Sequence, residues 1–316
     1  MSATVAKLPQ LVDDYLLVRR ALGFELEDVE RILHRFVAYL HAREADMVTV
    51  ADAVGFATAP PPVSPRRQAL RLSAVRGFTR WLRCQDAAVE VPPARILPAR
   101  PTRAAPYIYR DEEIQALLAA AGRLEPELRA ATYRTLIGLM AATGIRTGEA
   151  LGLDIVDFDQ LRCTLTVTGK YGKVRMLPLH PSVAAALSDY LQQRDRLLPA
   201  AASPALLISS RGARLHASTV HTTFRRLTDE AGLTATSSSC RPRLHDLRHT
   251  FAVATMLDAY RTGADAAVVL PILSTWLGHT EPRDSYWYLT GTAELLEAAT
   301  ERLRAVPGGR AEGGRR

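Results

Sequence analysis

The chain has 316 residues, of which 47% are hydrophobic and 23% are charged. This length suggests two domains, and the composition excludes a collagen-like chain and a chain that is disordered throughout. Forty Lys and Arg residues against 33 Asp and Glu residues give a formal charge of +7, which favours an anionic partner. Only Lys7, Lys170 and Lys173 are lysines, so two lysines three residues apart stand out in an arginine-rich chain.

The three cysteines, Cys84, Cys163 and Cys240, are far apart and predict neither a disulfide framework nor a zinc site. Reduced thiols of this kind are typical of the cytoplasm. The first residues lack the basic and apolar regions of a signal peptide, and no run of about 18 apolar residues predicts a membrane helix. We therefore expect a cytoplasmic protein without a membrane partner.

The N-terminal part of the chain is predicted to be helical. Apolar positions at three- and four-residue spacing indicate helices over residues 8–22, 26–42, about 48–57 and about 65–84. Ser64 and Pro65 support the start of the last helix, because serine caps helices and proline fits the first helical position. Five prolines within residues 87–106 then predict an interdomain linker.

The helix at 65–84 carries six arginines and no acidic residue: Arg66, Arg67, Arg71, Arg76, Arg80 and Arg83. At 100° per residue its apolar face comprises Leu70, Ala74, Phe78 and Trp81. Arg76, Arg80 and Arg83 gather on the opposite face. Two interpretations stay open, a solvated arginine face on a core helix and a helix that contacts DNA phosphates.

The second half is predicted to be mostly helical with one β-hairpin. The alternating, β-branched block 161–169 and the apolar block 174–180 flank a short turn, as the two strands of a hairpin do. Helices are predicted over about 111–121, 126–142, 181–196, 216–231, 244–260, 264–277 and 291–304. The fold class is therefore mostly α with a small antiparallel sheet, an α+β pattern. The glycine-rich basic tail, 305–316, is predicted to be disordered.

Two positively charged motifs fall at predicted turns. In the sequence TGIRTGE, Gly144 and Gly148 bracket Arg146, and such a turn presents either a guanidinium with nearby backbone N–H groups or an ordinary surface arginine. The hairpin tip GKYGK holds Lys170 and Lys173. Lysine at a hairpin tip is usually only solvated, but its ammonium can also deliver a proton, which arginine does poorly. The residues alone do not say which lysine would do so.

Two histidine motifs follow. His245 and Arg248 are spaced i,i+3 and face the same way on a helix. His245 and His249 have the i,i+4 spacing of a zinc helix, but Arg248 beside them would repel a cation, so no metal site is predicted and His249 is placed on the structural side. A second motif is Gly278-His279, followed by two tyrosines. Each motif is weak by itself.

In this order the motifs resemble the tyrosine recombinase (phage-integrase) family. The resemblance covers the motifs from 143 to 288 and extends to the helical first 85 residues, which look like the family's DNA core-binding domain. It implies a core-binding domain at 1–86, the linker at 87–106 and a catalytic domain at 107–304. The catalytic residues it implies are Arg146, Lys170, His245, Arg248, His279 and Tyr288.

The resemblance implies a site-specific recombinase that cuts and rejoins double-stranded DNA at inverted-repeat core sites without a metal or ATP. The two arginines would stabilise the transition state at phosphorus. Tyr288 would attack, giving a 3′-phosphotyrosine and a free 5′-hydroxyl, and Lys170 would protonate that leaving oxygen. His245 would assist proton transfer at the tyrosine, and His279 would hydrogen-bond a phosphate oxygen.

The DNA contacts we predict are the six arginines of the 65–84 helix together with Lys173 and Arg243. The resemblance further implies association with the nucleoid and self-assembly to a dimer or tetramer on DNA, with the helix at 291–304 as a candidate docking element and partner recombinases as candidate participants. The sequence SYWYLTGTAELL around the tyrosine resembles members carried by transposons or plasmids. The segment 261–273 is longer than the usual connection before Gly278-His279.

The alternatives to this interpretation are a different nucleophile and three other classes of protein. Tyr286 is the rival tyrosine, but residues two apart on a helix point about 200° apart, so only one of the pair can enter the pocket. A type IB topoisomerase would use the same site without exchanging DNA partners. The full set of catalytic residue types speaks against a non-catalytic accessory protein, and the lack of clustered carboxylates speaks against a metal-dependent nuclease.

Overall fold

The computed structural model describes residues 7–59, 64–97, 105–169, 172–199, 203–237, 240–279 and 300. Its contacts divide the chain into two compact units, Met1–Arg103 and Ala104–Arg316. Within these described ranges, no helix has both the length and the apolar character needed to cross a lipid bilayer.

The first unit is built from four helices: α1 (Leu8–Ala21), α2 (Glu27–His41), α3 (Val50–Thr58) and α4 (Pro65–Arg83). The helices predicted from apolar spacing are thus confirmed. The side chain of Ser64 accepts a hydrogen bond from the Arg67 backbone N–H, which satisfies one of the donors at the start of α4. Tyr15 packs edge-on against Phe78 from α4, and Phe36 packs on Phe56, so aromatic pairs connect the helices of this core.

The predicted apolar face of α4 is wrong at one end. Leu70 is 51% exposed, whereas Leu72, Val75 and Leu82 are buried. Because α2 and α3 both pack on α4, the covered arc of the helix is wide and centred near Leu82. Leu70 lies outside that arc.

The proline-rich stretch is attached to the unit on either side wherever the structure describes it. Val89 is buried in the core of the first unit. Arg76 donates from Nε to the Pro92 carbonyl and from Nη2 to the Pro93 carbonyl, both at 2.9 Å. Tyr107 and Tyr109, just after the predicted linker, are buried in the core of the second unit. Contacts therefore hold the described start of the predicted linker and the residues that directly follow it.

The second unit contains a three-stranded antiparallel sheet and seven named helices among the described residues. The strands are β1 (Phe158–Asp159), β2 (Thr164–Thr168) and β3 (Val174–Pro178), in the order β1-β2-β3. The helices are α5 (Asp111–Gly122), α6 (Glu127–Thr143), α7 (Thr147–Gly152), α8 (Pro181–Leu197), α9 (Ala217–Glu230), α10 (Asp246–Arg261) and α11 (Ala266–Leu277).

The predicted α+β class is confirmed, and the predicted hairpin is formed by β2 and β3, with Leu165 opposite Leu177. Two short elements, α7 and β1, were too brief to give a periodic signal. The predictions at 291–304 and 305–316 lie outside the described residues, apart from Thr300.

Helix α6 is the centre of the second unit, because α5, α8 and α10 all pack against it. It ends at Gly144, whose φ of +63° lies in the left-handed region. A Cβ atom at this position would lie 2.5 Å from Cδ1 of Phe251 on α10. Glycine thus lets α10 approach the end of α6, and this approach brings two of the motif segments together.

Candidate active site

Arg146 lies at the start of α7, directly after the turn at Gly144. Its backbone N–H donates to Oε2 of Glu149 at 2.9 Å, and its Nη1 donates to Oε1 of the same carboxylate at 2.8 Å. Its Nη2 donates to the Gly278 carbonyl at 3.1 Å. The side chain keeps 32% of its surface exposed, so the guanidinium is oriented by the protein and still open to a ligand.

Arg248, on the first turns of α10, is almost completely buried, with 1% of its surface exposed. Its Nη1 donates to the Gly144 carbonyl at 2.7 Å, and its Nη2 donates to the Leu277 carbonyl at 2.6 Å. The same Nη2 lies 2.9 Å from Nε2 of His279. One guanidinium therefore joins the end of α6 to the end of α11.

His279 follows α11 directly. Gly278 ends that helix with a φ of +66°, a conformation that glycine adopts without strain. Because arginine only donates hydrogen bonds, Nε2 of His279 must accept from Arg248. This contact fixes the orientation of the imidazole beside Arg248.

His245 and His249 form a pair at the start of α10. Their rings meet edge to face with centroids 5.2 Å apart, so His249 borders the site and contacts His245. Desolvation and the charges of Arg248 and Arg146 lower the pKa of His245 to about 4. Desolvation and the neighbouring His245 lower the pKa of His249 to about 3. Both rings are consequently neutral near pH 7, where His245 can accept a proton.

Glu149 and Arg175 belong to this cluster although the sequence interpretation passed over them. Arg175 on β3 donates from Nη1 and Nη2 to both oxygens of Glu149, at 3.0 and 2.8 Å. Burial alone would raise the pKa of Glu149, but the hydrogen bonds from Arg175 and Arg146 outweigh it and lower that pKa to about 2. The sequence signal that could have revealed this pair is the position of Arg175, because it lies on the same inward side of β3 as buried Leu177.

Lys170 and Tyr288 lie outside the described residues, so their predicted positions in the site remain predictions. Gly169, which precedes Lys170, lies beside the cluster: a Cβ atom there would be 3.4 Å from Oε1 of Glu149. Its N–H donates to the Lys173 carbonyl at 2.7 Å, which closes the hairpin. No group of three or more His, Cys, Asp or Glu side chains in the described ranges could hold a metal ion.

The predicted DNA contacts differ in what their side chains already bind. Arg66, Arg67, Arg80, Arg83 and Lys173 are exposed. Arg76 donates to the carbonyls of Pro92 and Pro93, and Arg71 lies over the Phe56 ring. Arg243 forms a two-point ion pair with buried Asp246. The exposed members are thus the better candidates for phosphate contact, and the others also support the fold.

Comparison with known proteins identifies the family. Residues 108–293 match the sequence profile described as the phage integrase family. The chain is 42% identical over 301 residues to the candidate integrase/recombinase y4rB of Sinorhizobium fredii (strain NBRC 101917 / NGR234), covering 93% of this chain and 96% of that protein. The chain belongs to the phage integrase family of tyrosine recombinases. It is therefore a site-specific recombinase, which cuts and rejoins DNA strands through a phosphotyrosine intermediate.

One further relative agrees with the assignment of this tyrosine recombinase, and two solved structures share its fold. It is 32% identical over 241 residues to tyrosine recombinase XerC of Mycobacterium leprae (strain TN), covering 75% of this chain and 74% of that protein. Its fold is similar to that of the XerH site-specific recombinase bound to palindromic difH substrate, with a TM-score of 0.64, 21% identity, and 96% and 86% coverage of the two chains. The Tn1549 transposon integrase matches with a TM-score of 0.63, 16% identity, and 96% and 100% coverage.

Proposed function

We propose that Arg146, Lys170, His245, Arg248, His279 and Tyr288 carry out the strand cleavage and rejoining. The observation that carries this proposal is the convergence of four of them from three segments of chain. Arg146 donates to the Gly278 carbonyl. Arg248 donates to the carbonyls of Gly144 and Leu277 and to His279. Both guanidiniums are oriented by backbone carbonyls of other motif segments, and His279 is bonded to Arg248, so this part of the cluster is preorganised before any ligand arrives.

The substrate is a DNA phosphodiester, and its reaction at phosphorus develops negative charge on the non-bridging oxygens. Arg146 and Arg248 stabilise that charge, because guanidinium groups donate strong, charge-assisted hydrogen bonds to phosphate. Arg146 has the exposed surface for direct contact. His279, which is bonded to Arg248, hydrogen-bonds a phosphate oxygen.

Proton transfer is divided between two sides of the phosphate. Neutral His245 accepts the proton of the Tyr288 hydroxyl as the tyrosine attacks, and this creates the 3′-phosphotyrosine bond. Lys170 gives a proton to the 5′ oxygen that leaves. The phosphotyrosine keeps the energy of the broken bond, so the 5′-hydroxyl of another strand can attack it and release the tyrosine.

The role of Arg146 is tested by Arg146→Lys. Lysine keeps the charge but cannot bind Glu149, Gly278 and a phosphate together, so we expect single-turnover cleavage of a nicked suicide duplex to fall by about 100-fold or more. DNA affinity should remain close to wild type. Arg129→Lys is the matched control, because Arg129 is a partly buried arginine bonded to Thr223, away from the cluster. Full cleavage activity of folded Arg146→Lys would contradict the proposed role.

The biological setting we infer is a mobile genetic element. The motif around Tyr288 resembles those of transposon- and plasmid-borne recombinases, and this supports integration or transposition between inverted-repeat core sites. Action on such sites also supports location in the cytoplasm at the nucleoid, with partner recombinases as candidate participants. Sequencing the DNA on both sides of the gene for inverted repeats supplies the test substrate.

Assembly on DNA is proposed to proceed through residues 291–304, where Leu295, Leu296, Ala299 and Leu303 recur at helical spacing. If this segment docks on a neighbouring subunit, deletion of the chain after Thr290 leaves DNA binding intact and prevents dimers and tetramers from forming on the site. Analytical ultracentrifugation of the protein–DNA complexes measures both. Normal tetramers of the truncated protein would show that the segment packs on its own subunit.

A further inference from the structure

Arg175 is bonded to two of the segments that form the active site. Its Nη1 and Nη2 hold both oxygens of Glu149, and its Nε donates to the Trp276 carbonyl at 2.8 Å. Only 14% of the Arg175 side chain and 5% of the Glu149 side chain are exposed. The guanidinium therefore has its donors directed into the protein, and it differs in this from the partly open Arg146.

The close approach of Arg175 to the turn at Gly278 is a second, independent observation. A Cβ atom at Gly278 would lie 2.8 Å from Nη1 and 3.0 Å from Cζ of Arg175. The guanidinium thus fills the space that a side chain at this turn would occupy. The position of His279, the next residue, depends on this packing as well as on its bond to Arg248.

Glu149 binds both Arg175 and Arg146, so the position of one arginine affects the position of the other. The Glu149 carboxylate accepts from both guanidiniums and from the Arg146 backbone N–H. Since the group is buried, both cationic partners stabilise its ionised form. Loss of Arg175 would remove two of the four hydrogen bonds from the two arginines that fix the orientation of the carboxylate.

We propose that Arg175 is a positioning residue for DNA cleavage, which fixes Arg146 through Glu149 and fixes the Gly278-His279 turn through the Trp276 carbonyl. It also ties both to β3, the strand that follows the Lys170 turn. This inference rests on the proposed roles of Arg146 and His279. An arginine is required because only its planar fork satisfies two carboxylate oxygens and a carbonyl from one side chain.

The test compares Arg175→Met and Arg175→Lys with Arg162→Met. Arg162 is the control, because its side chain is 81% exposed in the connection between β1 and β2 and forms an ion pair with Asp159 outside the cluster. Single-turnover cleavage of the nicked duplex and DNA dissociation constants are measured for each folded variant. We expect both Arg175 variants to cleave at least about tenfold more slowly with nearly unchanged DNA affinity, and Arg162→Met to match wild type.

A double-mutant cycle with Glu149→Gln separates positioning from a general loss of stability. If Arg175 acts through Glu149, the variant Arg175→Met/Glu149→Gln is little slower than the slower single variant. If the rate losses of the two single variants multiply in the double variant, the proposal is overturned. Wild-type cleavage by Arg175→Lys would also overturn it, and this result is decisive even if Arg175→Met does not fold. Loss of cleavage in Arg146→Lys with full activity in Arg175→Lys would refute only this inference, whereas full activity in Arg146→Lys would refute the proposed function.

Discussion

Lys170 is the residue whose proposed role is most clearly indicated by the composition of the sequence. Among 40 basic residues only three are lysines, and one of them, Lys170, directly follows Gly169 in the sequence. Gly169 lies against Glu149, and a Cβ atom there would be in ordinary contact with the carboxylate. A proton donor close to Gly169 would be near Glu149, which binds the Arg146 guanidinium that we propose to contact the phosphate.

Lys170→Arg tests proton donation, because arginine keeps the charge but is a poor acid. We expect cleavage to slow by about 10²- to 10⁴-fold with DNA affinity nearly unchanged. A substrate with sulfur in place of the leaving 5′ oxygen should restore the rate, since a thiolate leaves without needing a proton. Lys7→Arg, at an exposed position in the first unit, is the control and should cleave normally. An active Lys170→Arg enzyme on the ordinary substrate would contradict the role.

The protonation states of the histidines could not be predicted from the sequence. The spacing of His245 and His249 is compatible with metal binding, catalysis or packing, and only the surroundings decide between them. Desolvation by burial and the charges of Arg248 and Arg146 lower the pKa of His245 to about 4, which keeps the ring neutral near pH 7. His279 is bonded to Arg248. The effect of Arg146 on His245 and the bond between Arg248 and His279 both join residues more than 30 positions apart in the chain.

Helix α4 shows that the packing around a helix decides which of its side chains are exposed. Six arginines looked alike in the sequence, but the packing of the first unit separates them. Arg71 and Arg76 contact other parts of this unit, whereas Arg80 and Arg83 are exposed near the end of the helix. Exposure leaves the latter two able to contact phosphates.

The double variant Arg80→Gln/Arg83→Gln tests this difference. If both side chains contact phosphates, DNA affinity falls and the slope of log K against log salt becomes shallower by about 2. The matched control is Arg31→Gln/Arg35→Gln on α2, which removes the same charge from exposed positions. Salt titrations of binding to duplex DNA measure both. Equal losses in the two double variants would mean that α4 acts only through net charge.

Elements with a long periodic pattern could be predicted from the sequence, and short ones could not. The helices α1, α2, α4, α5 and α6 and the β2–β3 hairpin were all evident, because repeated apolar positions outweigh local exceptions. Helix α7 spans only Thr147–Gly152, and its start depends on the bond between the Arg146 N–H and Glu149. The network of Glu149 and Arg175 was missed for a related reason, since its partners come from different elements.

At the scale of the whole molecule, one unit carries the catalytic cluster and the other carries the arginine-bearing helix α4. The carbonyls of Gly144, Leu277 and Gly278 hold the guanidiniums, so the arginines that we propose as catalytic rest on the backbone of the second unit. Fixed guanidiniums of this kind are suited to stabilise charge at phosphorus. The central claim that we propose is that the chain cuts DNA by attack of Tyr288.

That claim is tested most directly by trapping the covalent complex on a nicked suicide duplex. The account predicts that wild type and Tyr286→Phe form the complex, that Tyr288→Phe does not, and that mass spectrometry of the digested complex finds a nucleotide 3′-phosphate on Tyr288. Binding of all three proteins to the same duplex is the control for folding. A covalent complex formed by Tyr288→Phe, or a nucleotide attached to Tyr286, would contradict the account.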